Sequence, residues 1–351
     1  MTSLLLDHPG AAPAQPPDDG VAWHYGDPLR EQRALTEGVG WVDRSNRGVL
    51  RVTGEDRLSW LHSLTTQDLD TLGPGRGTEA LVLSPQGHVE HHLVIAETGT
   101  TFIDIEPHTV ADLMTFLESM RFLLRVEPID VSDATTLLSL VGPGTTALLD
   151  GAGLGVGPEA YDVAAHGDVV VRRMPWPSVD AADLIVPTGQ VHDAIATLER
   201  LGATPAGLWA FEALRVAAHR PRLHVDTDHR TLPHEVGWIE TAVNLTKGCY
   251  RGQETVARVH NLGRPPRRLV FLHLDGSDES LPQRGAVVEA DGAPVGFVGS
   301  AVRHFELGPI GLALIRRGTP QDASLTAGGV PATAEVIVDP EAGLHIRPVL
   351  G

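Results

Sequence analysis

The amino-acid sequence predicts an α+β protein, with mixed sheets and helices over most of its length and an all-β domain at its C-terminal end. Three observations lead there. Short strand-like runs alternate with helical patterns through the first part of the chain. After Pro265-Pro266 the helical period does not return, and strands follow one another between glycine turns. A length of 351 residues also exceeds that at which one core usually divides, which favours two or three domains.

Residues 1–22, rich in Pro and Ala, read as a disordered tail. Around residues 35–52, "GVGWVDRSNRGVLRVTG" alternates apolar and polar positions about an Asn-Arg-Gly turn and predicts a hairpin. Gly54-Glu55-Asp56 then opens a helix with Leu58, Leu61, His62 and Leu64 on one face. "EALVLSPQGHVEHHLVIAE" reads as two strands joined at Ser84-Pro85-Gln86-Gly87, and "TFIDIEP" as another. Residues 108–122 form a helix, and "RVEPIDVSDATTLLSLVG" returns to strand. "SLVGPGTTALLDGAG" lacks the Gly-Lys-Ser/Thr of a phosphate loop and reads as a plain strand-turn-helix junction with Thr145 near the cap.

Residues 205–218 form a helix with Pro205 in its first turn and Arg220-Pro221 as its stop. Leu208, Phe211 and Leu214 share one side, while Glu212 and Arg215 share a second, which reads as a solvated polar face. From residue 263 onward, a hairpin about Asp291-Gly292 and a strand pair in "LTAGGVPATAEVIVD" indicate a small barrel or sandwich. No internal repeat is present.

Composition narrows the function. Hydrophobic residues at 42% and charged residues at 21% are ordinary for a folded chain. A net charge of −18 repels a phosphate backbone, so no direct nucleic-acid contact is expected. A small anionic ligand remains compatible with a local cluster such as Arg215, Arg220 and Arg222. One cysteine excludes an intrachain disulfide, the N-terminal apolar run is too short for a signal peptide, and no stretch is long enough to span a bilayer. The expectation is a cytoplasmic protein with no membrane partner.

Seventeen histidines invite a metal reading. His219, His224, His229 and His234 recur every five residues, a spacing that fits one face of neither a helix nor a strand, and His234-Glu235 lacks the second histidine of a zinc helix. No metal is expected.

The stretch "TKGCYRGQETVAR", residues 246–258, holds the sole cysteine, Cys249, between Gly248 and Gly252. Two glycines permit a bent, tightly packed loop. Lys247 and Arg251 flank the thiol and favour the thiolate, whereas Glu254 opposes it. Residue types alone leave two accounts open: a reactive thiol, or a buried small hydrophobe. A complete iron-sulfur cluster takes four cysteines, so other ligands would have to come from elsewhere.

"KGCYRGQE" at Lys247 to Glu254, followed by "VAR", resembles the defining motif of the YgfZ-type folate-binding proteins, relatives of the glycine-cleavage T-protein aminomethyltransferase. "VLRVTGEDRLSWLHSLTTQDL", "LSPQGHVEHHLVI" and "GLWAFEALRVAAHRPRLHVDTDHRTLPHEVGW" are similar to further stretches of that family. The resemblance implies mixed-sheet T-protein-like domains at residues 23–262, formed as two intertwined subdomains, and a β-barrel at 263–351, arranged as a three-domain ring. It implies tetrahydrofolate, or a one-carbon derivative, as the small-molecule ligand. Arg215, Glu235 and Trp238 become the principal folate candidates, with Thr65, Thr66 and Gln67 beside them. Cys249 and Lys247 become the chemical centre, supported by Gly248, Tyr250, Arg251, Gly252, Gln253 and Glu254. The implied partners are iron-sulfur client enzymes, tRNA-modifying ones among them, or cluster-assembly proteins.

Two departures bear on activity. The T-protein carries a pair of aspartates where this chain has His91 and His92, and an imidazole cannot supply a fixed negative charge there. The T-protein's Gly-Tyr-Thr-Gly-Glu run is also missing from "MPWPSVDAAD", where Asp180 and Asp183 are the nearest carboxylates. The leading expectation is therefore a folate-dependent accessory protein; the alternatives are an aminomethyltransferase or demethylase, and an interaction protein with vestigial folate capacity.

Overall fold

The computed structural model describes residues 2–277 and 280–339, so residues 340–351 of the expected C-terminal domain lie outside the described residues. The chain forms two compact units. One comprises Met1–His62, Leu69–Glu79 and Leu93–Ala218; the other comprises Ser63–Asp68, Ala80–His92 and His219–Gly351.

The first unit is built on two sheets packed face to face. The six-stranded sheet runs Val163–His166, Val169–Met174, Ala181–Pro187, Thr135–Val141, Gly40–Asp43, Thr204–Ala206, and its last pair is parallel while the rest are antiparallel. The five-stranded sheet runs Arg76–Leu83, Val89–Glu97, Thr101–Ile105, Gly48–Thr53, Glu127–Asp130, and its first two strands pass from one unit into the other along their length. Val49 and Ala96 meet Leu137, Val163, Val170 and Ile185 in the layer between the sheets. The helices Thr145–Gly151 and Val191–Arg200 cover the other face of the six-stranded sheet through Leu148, Leu149, Ile195 and Leu198. A buried charge network crosses the layer: Arg172 donates to Asp104 (2.5 Å) and Asp183 (2.7 Å), and Arg47 to Asp104 (2.8 Å) and Glu106 (2.6 Å). Pairing of this kind is what makes buried charge tolerable.

Four local expectations are corrected here. The N-terminal 22 residues are structured, not a free tail: Leu4–Asp7 forms a 3-10 turn capped by Ser3, and Ala12–Pro13 pairs with Ala22–His24. Leu5 and Val21 are fully buried and lock into the two cores of this unit, so a few apolar anchors outweigh a Pro/Ala composition. The hairpin around residues 35–52 is instead a crossover: its turn closes from the Arg47 amide to the Arg44 carbonyl, but Gly40–Asp43 and Gly48–Thr53 enter different sheets. Pro205 lies in the edge strand Thr204–Ala206, where a missing N–H is harmless, and the helix starts at Leu208. Thr145 does lie next to the cap, as expected: it is the first helical residue after Gly144. The Glu212–Arg215 pair is buried rather than solvated and makes a 2.8 Å ion pair.

The second unit holds a closed antiparallel barrel. Its strands follow the order Arg267–Leu274, Gly308–Arg316, Ala293–His304, Val287–Ala290, Leu325–Ala327, Val330–Val336, and the last pairs back onto the first. Val270, Leu272 and Leu274 alternate inward to meet Val288, Val298, Ala313 and Ile315. The expected hairpin about Asp291-Gly292 is present, with both residues at positive φ (50° and 79°) as a two-residue turn of this hand requires. Around the barrel, the same unit carries residues 219–262 and the two segments contributed from earlier in the chain.

Candidate functional site

The cysteine-bearing loop lies wholly in the second unit, and each of its residues is fixed from a different direction. Asn244 begins it: its Oδ1 accepts the amides of Thr246 (2.9 Å) and Lys247 (3.0 Å), a side-chain turn that bends the chain toward the thiol. The Lys247 ammonium donates to the Thr65 carbonyl at 2.7 Å and the Gln67 carbonyl at 3.0 Å, and lies 5.5 Å from the centre of the Tyr250 ring. Tyr250 is buried, and burial pushes its phenol up to about 12. Arg251 forks onto Glu90 with contacts of 3.0 and 3.4 Å. Gln253 starts the helix Gln253–Leu262 and reaches back toward the Lys247 and Gly248 carbonyls at 3.4 and 3.5 Å. Glu254 pairs along that helix with Arg258 at 3.0 Å.

The two flanking glycines have different roles. Gly248 has open space around its α-carbon and no positive φ, so nothing there requires glycine. Gly252 sits at φ +81°, and a β-carbon on it would lie 2.6 Å from the Ser84 carbonyl oxygen and 2.9 Å from the Gly87 α-carbon. Gly87 is in the same position in reverse, at φ +81° with Thr255 2.8 Å from where its β-carbon would be. The turn joining the strands at Ser84–Gly87 and the turn opening the cysteine helix thus pack backbone against backbone. Between these fixed points Cys249 is exposed.

Lys247 and Arg251, the two cations that flank the thiol in sequence, also make contacts away from it. The Lys247 ammonium donates to the Thr65 and Gln67 carbonyls and the Arg251 guanidinium pairs with Glu90. Thr66 is tied in the same way: its hydroxyl donates to the Ala242 carbonyl at 2.6 Å and accepts the Leu81 amide at 2.8 Å, while its own carbonyl accepts Asn244 N–H at 2.9 Å. Gln67 reaches the Thr241 carbonyl at 3.5 Å. Thr65, Thr66 and Gln67 form the floor on which the loop is seated.

Glu235 is fully buried in the 3-10 turn Pro233–Val236. It accepts the Leu232 amide (2.9 Å) and two donors of Arg267 (2.9 Å each), and Arg267 also forks onto Asp228 at 2.7 and 3.0 Å. Burial alone would raise the Asp228 carboxyl, but the Arg267 hydrogen bonds, the Arg230 amide, the Arg267 charge and the Thr231 hydroxyl together outweigh it and hold it at about 2. Trp238 is buried, with one ring face stacked on His92 at 4.7 Å and an interplanar angle of 6°. His91 is buried and His92 half-buried, as adjacent positions of a strand should be. His234 is 3% exposed, both its ring nitrogens lack a hydrogen-bond partner, and burial, with His260 nearby, lowers it to about 4. Arg215 lies in the first unit, on the helix Leu208–Ala217 beside Glu212. Among the described residues no group of three or more His, Cys, Asp or Glu is placed to hold a metal, and no helix is long and apolar enough to cross a membrane.

The structure thus gathers Thr65, Thr66, Gln67, Lys247, Cys249, Tyr250, Arg251, Gly252 and Gln253 into one built loop, with Glu235 and Trp238 in the same unit. Sequence reasoning missed Glu90, Asn244, Asp228, Arg267 and the role of Gly87. Asn244, two residues before Thr246, carried a legible turn signal; Glu90 carried none, since only the fold brings it to Arg251.

Comparison with known proteins places this geometry. Residues 21–247 match the GCVT N-terminal domain, and residues 267–338 match the CAF17 C-terminal β-barrel domain. The chain is 28% identical to a putative chloroplastic transferase of Arabidopsis thaliana over 84% of its own length and 70% of the relative's. It is 30% identical to the aminomethyltransferase of Geobacillus kaustophilus, over 82% and 81% of the two chains. In fold it matches the crystal structure of glycine cleavage system aminomethyltransferase T from Bartonella henselae with a TM-score of 0.84, covering 97% of each chain at 19% identity. With one domain matched over most of its length and the other over its barrel, the chain belongs to the YgfZ/CAF17 family of the aminomethyltransferase superfamily.

Proposed function

We propose that the chain is an accessory protein that binds tetrahydrofolate or a one-carbon derivative and uses the Cys249 thiol in assembly or repair of iron-sulfur enzymes, tRNA-modifying ones among them. The observation that carries this reading is the display of the chain's one cysteine: it is exposed, while the residues on either side are held by Asn244, Lys247, Arg251 and Gly252. A side chain kept only as small core filler gains nothing from exposure. A fixed, accessible thiol can serve as a nucleophile or as one ligand to a cluster passed between proteins.

For folate, Trp238 supplies a flat wall with one face already backed by His92, and Glu235 serves as a brace through Arg267 rather than as an open acceptor. Arg215, buried beside Glu212 in the first unit, stands as a separate folate candidate, a cation suited to an anionic part of the ligand. His91 and His92 in place of carboxylates argue against amine transfer as the main activity.

Complementation of a deletion strain tests the reading. Cys249→Ser should fold, bind tetrahydrofolate as wild type does, and lose support of iron-sulfur enzyme activity; full support would overturn the role of the thiol. Arg215→Ala should weaken folate binding in a titration, and unaltered affinity would move the pocket elsewhere. The relatives named aminomethyltransferase favour one second reading, transfer of a one-carbon unit to folate. Methylene-tetrahydrofolate formed from an aminomethyl-lipoyl protein would establish it.

A further inference from the structure

A second feature, in the barrel and away from the cysteine loop in sequence, is a buried cation without enough acceptors. Arg268 shares the inward parity of Val270, Leu272 and Leu274 and stands opposite Ile315, itself a core residue. It therefore enters the barrel interior at the end where the strand Arg267–Leu274 begins. Its side chain is 2% exposed. Nη2 donates to the Thr319 carbonyl at 2.8 Å, but among the described residues Nε and Nη1 find no partner, and neither does the hydroxyl of Thr319, which is also buried. Three N–H donors of one guanidinium and one hydroxyl are thus left together without acceptors. The acidic group among the described residues whose charge acts on Arg268 is Asp339.

The surroundings add positive charge. In a chain of net charge −18, Arg264, Arg267, Arg268, Arg316 and Arg317 come from the adjacent ends of two paired strands, with Arg267 directly across from Arg316. Like charges placed opposite one another in a sheet are unfavourable, and Arg267 is compensated by its ion pairs to Asp228 and Glu235. An unpaired buried charge costs several kcal/mol unless something neutralises it.

We propose that this mouth of the barrel, at Arg268 and Thr319, is a binding site for a small oxyanion, the terminal carboxylate or phosphate group of a ligand. An oxyanion supplies what the site lacks, acceptors for Nε and Nη1 and for the threonine hydroxyl, and removes the net charge that burial makes costly. Burial holds Arg268 below the ordinary arginine range against the opposing pull of Asp339, in keeping with a guanidinium short of negative charge.

The test is the unfolding midpoint of the full chain in inorganic phosphate and, separately, in acetate, each against sodium chloride at equal ionic strength. In wild type, each tenfold rise in the bound anion above its Kd should raise the midpoint by roughly 2 to 4 °C. A response to phosphate alone assigns a phosphate group, and a response to acetate alone a carboxylate. Arg268→Met should melt in chloride no lower than wild type and show no anion response, since an apolar side chain of similar length removes the unpaired charge. Thr319→Val, a milder change, should weaken the anion at least threefold by isothermal titration. No response in wild type beyond chloride, or an undiminished response in both variants, would overturn the proposal and leave the guanidinium to buried water.

Discussion

Gly252→Ala is the sharpest test of how the thiol is held. At φ +81° an alanine pays about 1 to 2 kcal/mol of backbone strain that glycine avoids. Its β-carbon would also stand 2.6 Å from the Ser84 carbonyl oxygen and 2.9 Å from the Gly87 α-carbon. Both are backbone atoms and cannot rotate away, so the turn and the loop must separate, at a further cost of about 1 to 3 kcal/mol by analogy with overpacked cores. The sum, about 3 kcal/mol, corresponds to a fall of roughly 4 °C in the unfolding midpoint of a chain of this length. Gly248→Ala is the built-in control: with no neighbour within 4 Å and no positive φ, it should change the midpoint by under about 1 kcal/mol. Because the chain has one thiol, a colorimetric thiol reagent reports on Cys249 alone. Its rate should be unchanged in Gly248→Ala and altered in Gly252→Ala. If the two variants melt and react alike, the contact between the Ser84–Gly87 turn and the cysteine loop is not what fixes the thiol.

Two further outcomes follow from the charges around Glu235 and from His234. Arg267→Met leaves the fully buried Glu235 carboxylate without its cation and should cost about 3 to 5 kcal/mol in urea denaturation, much of it recovered by adding Glu235→Gln; equal losses in the single and double variants would contradict this. His234 titrates at about 4 when folded and near 6.5 when unfolded, so the unfolded chain takes up its proton first as pH falls. Its contribution is present above pH 6.5 and fades toward pH 4, by at most about 3 kcal/mol. His234→Phe should flatten the fall in the unfolding midpoint between those limits, and an unchanged slope would assign the proton elsewhere.

Much of this architecture was legible in the order of residues. The strands between glycine turns after Pro265-Pro266 and the Asp291-Gly292 turn announced an all-β domain, and Ser84–Gly87 announced the strand connection, because these signals are local. The partners of Gly40–Asp43 and Gly48–Thr53 were not legible, since a tight turn between two strands says nothing about which sheet each will join. Burial of Arg215 with Glu212 escaped for a related reason: a helix covered on all sides shows the same three-residue spacing as one with a wet face. At the site, the motif around Cys249 was plain, but the long-range partners of Lys247 and Arg251, about 180 and 161 residues away, were not, because only the fold brings them together.

The clamp on the cysteine loop also has a consequence for the timing of biosynthesis. Gly87 leaves the ribosome about 165 residues ahead of Gly252, an interval of roughly 10 to 30 seconds at ordinary elongation rates. During that interval the early turn has no counterpart, and a nascent or prematurely ended polypeptide carries the Ser84–Gly87 turn without the backbone that packs on it. The seat of the cysteine loop is thereby waiting before the loop itself is made, and it closes only when translation has passed residue 252.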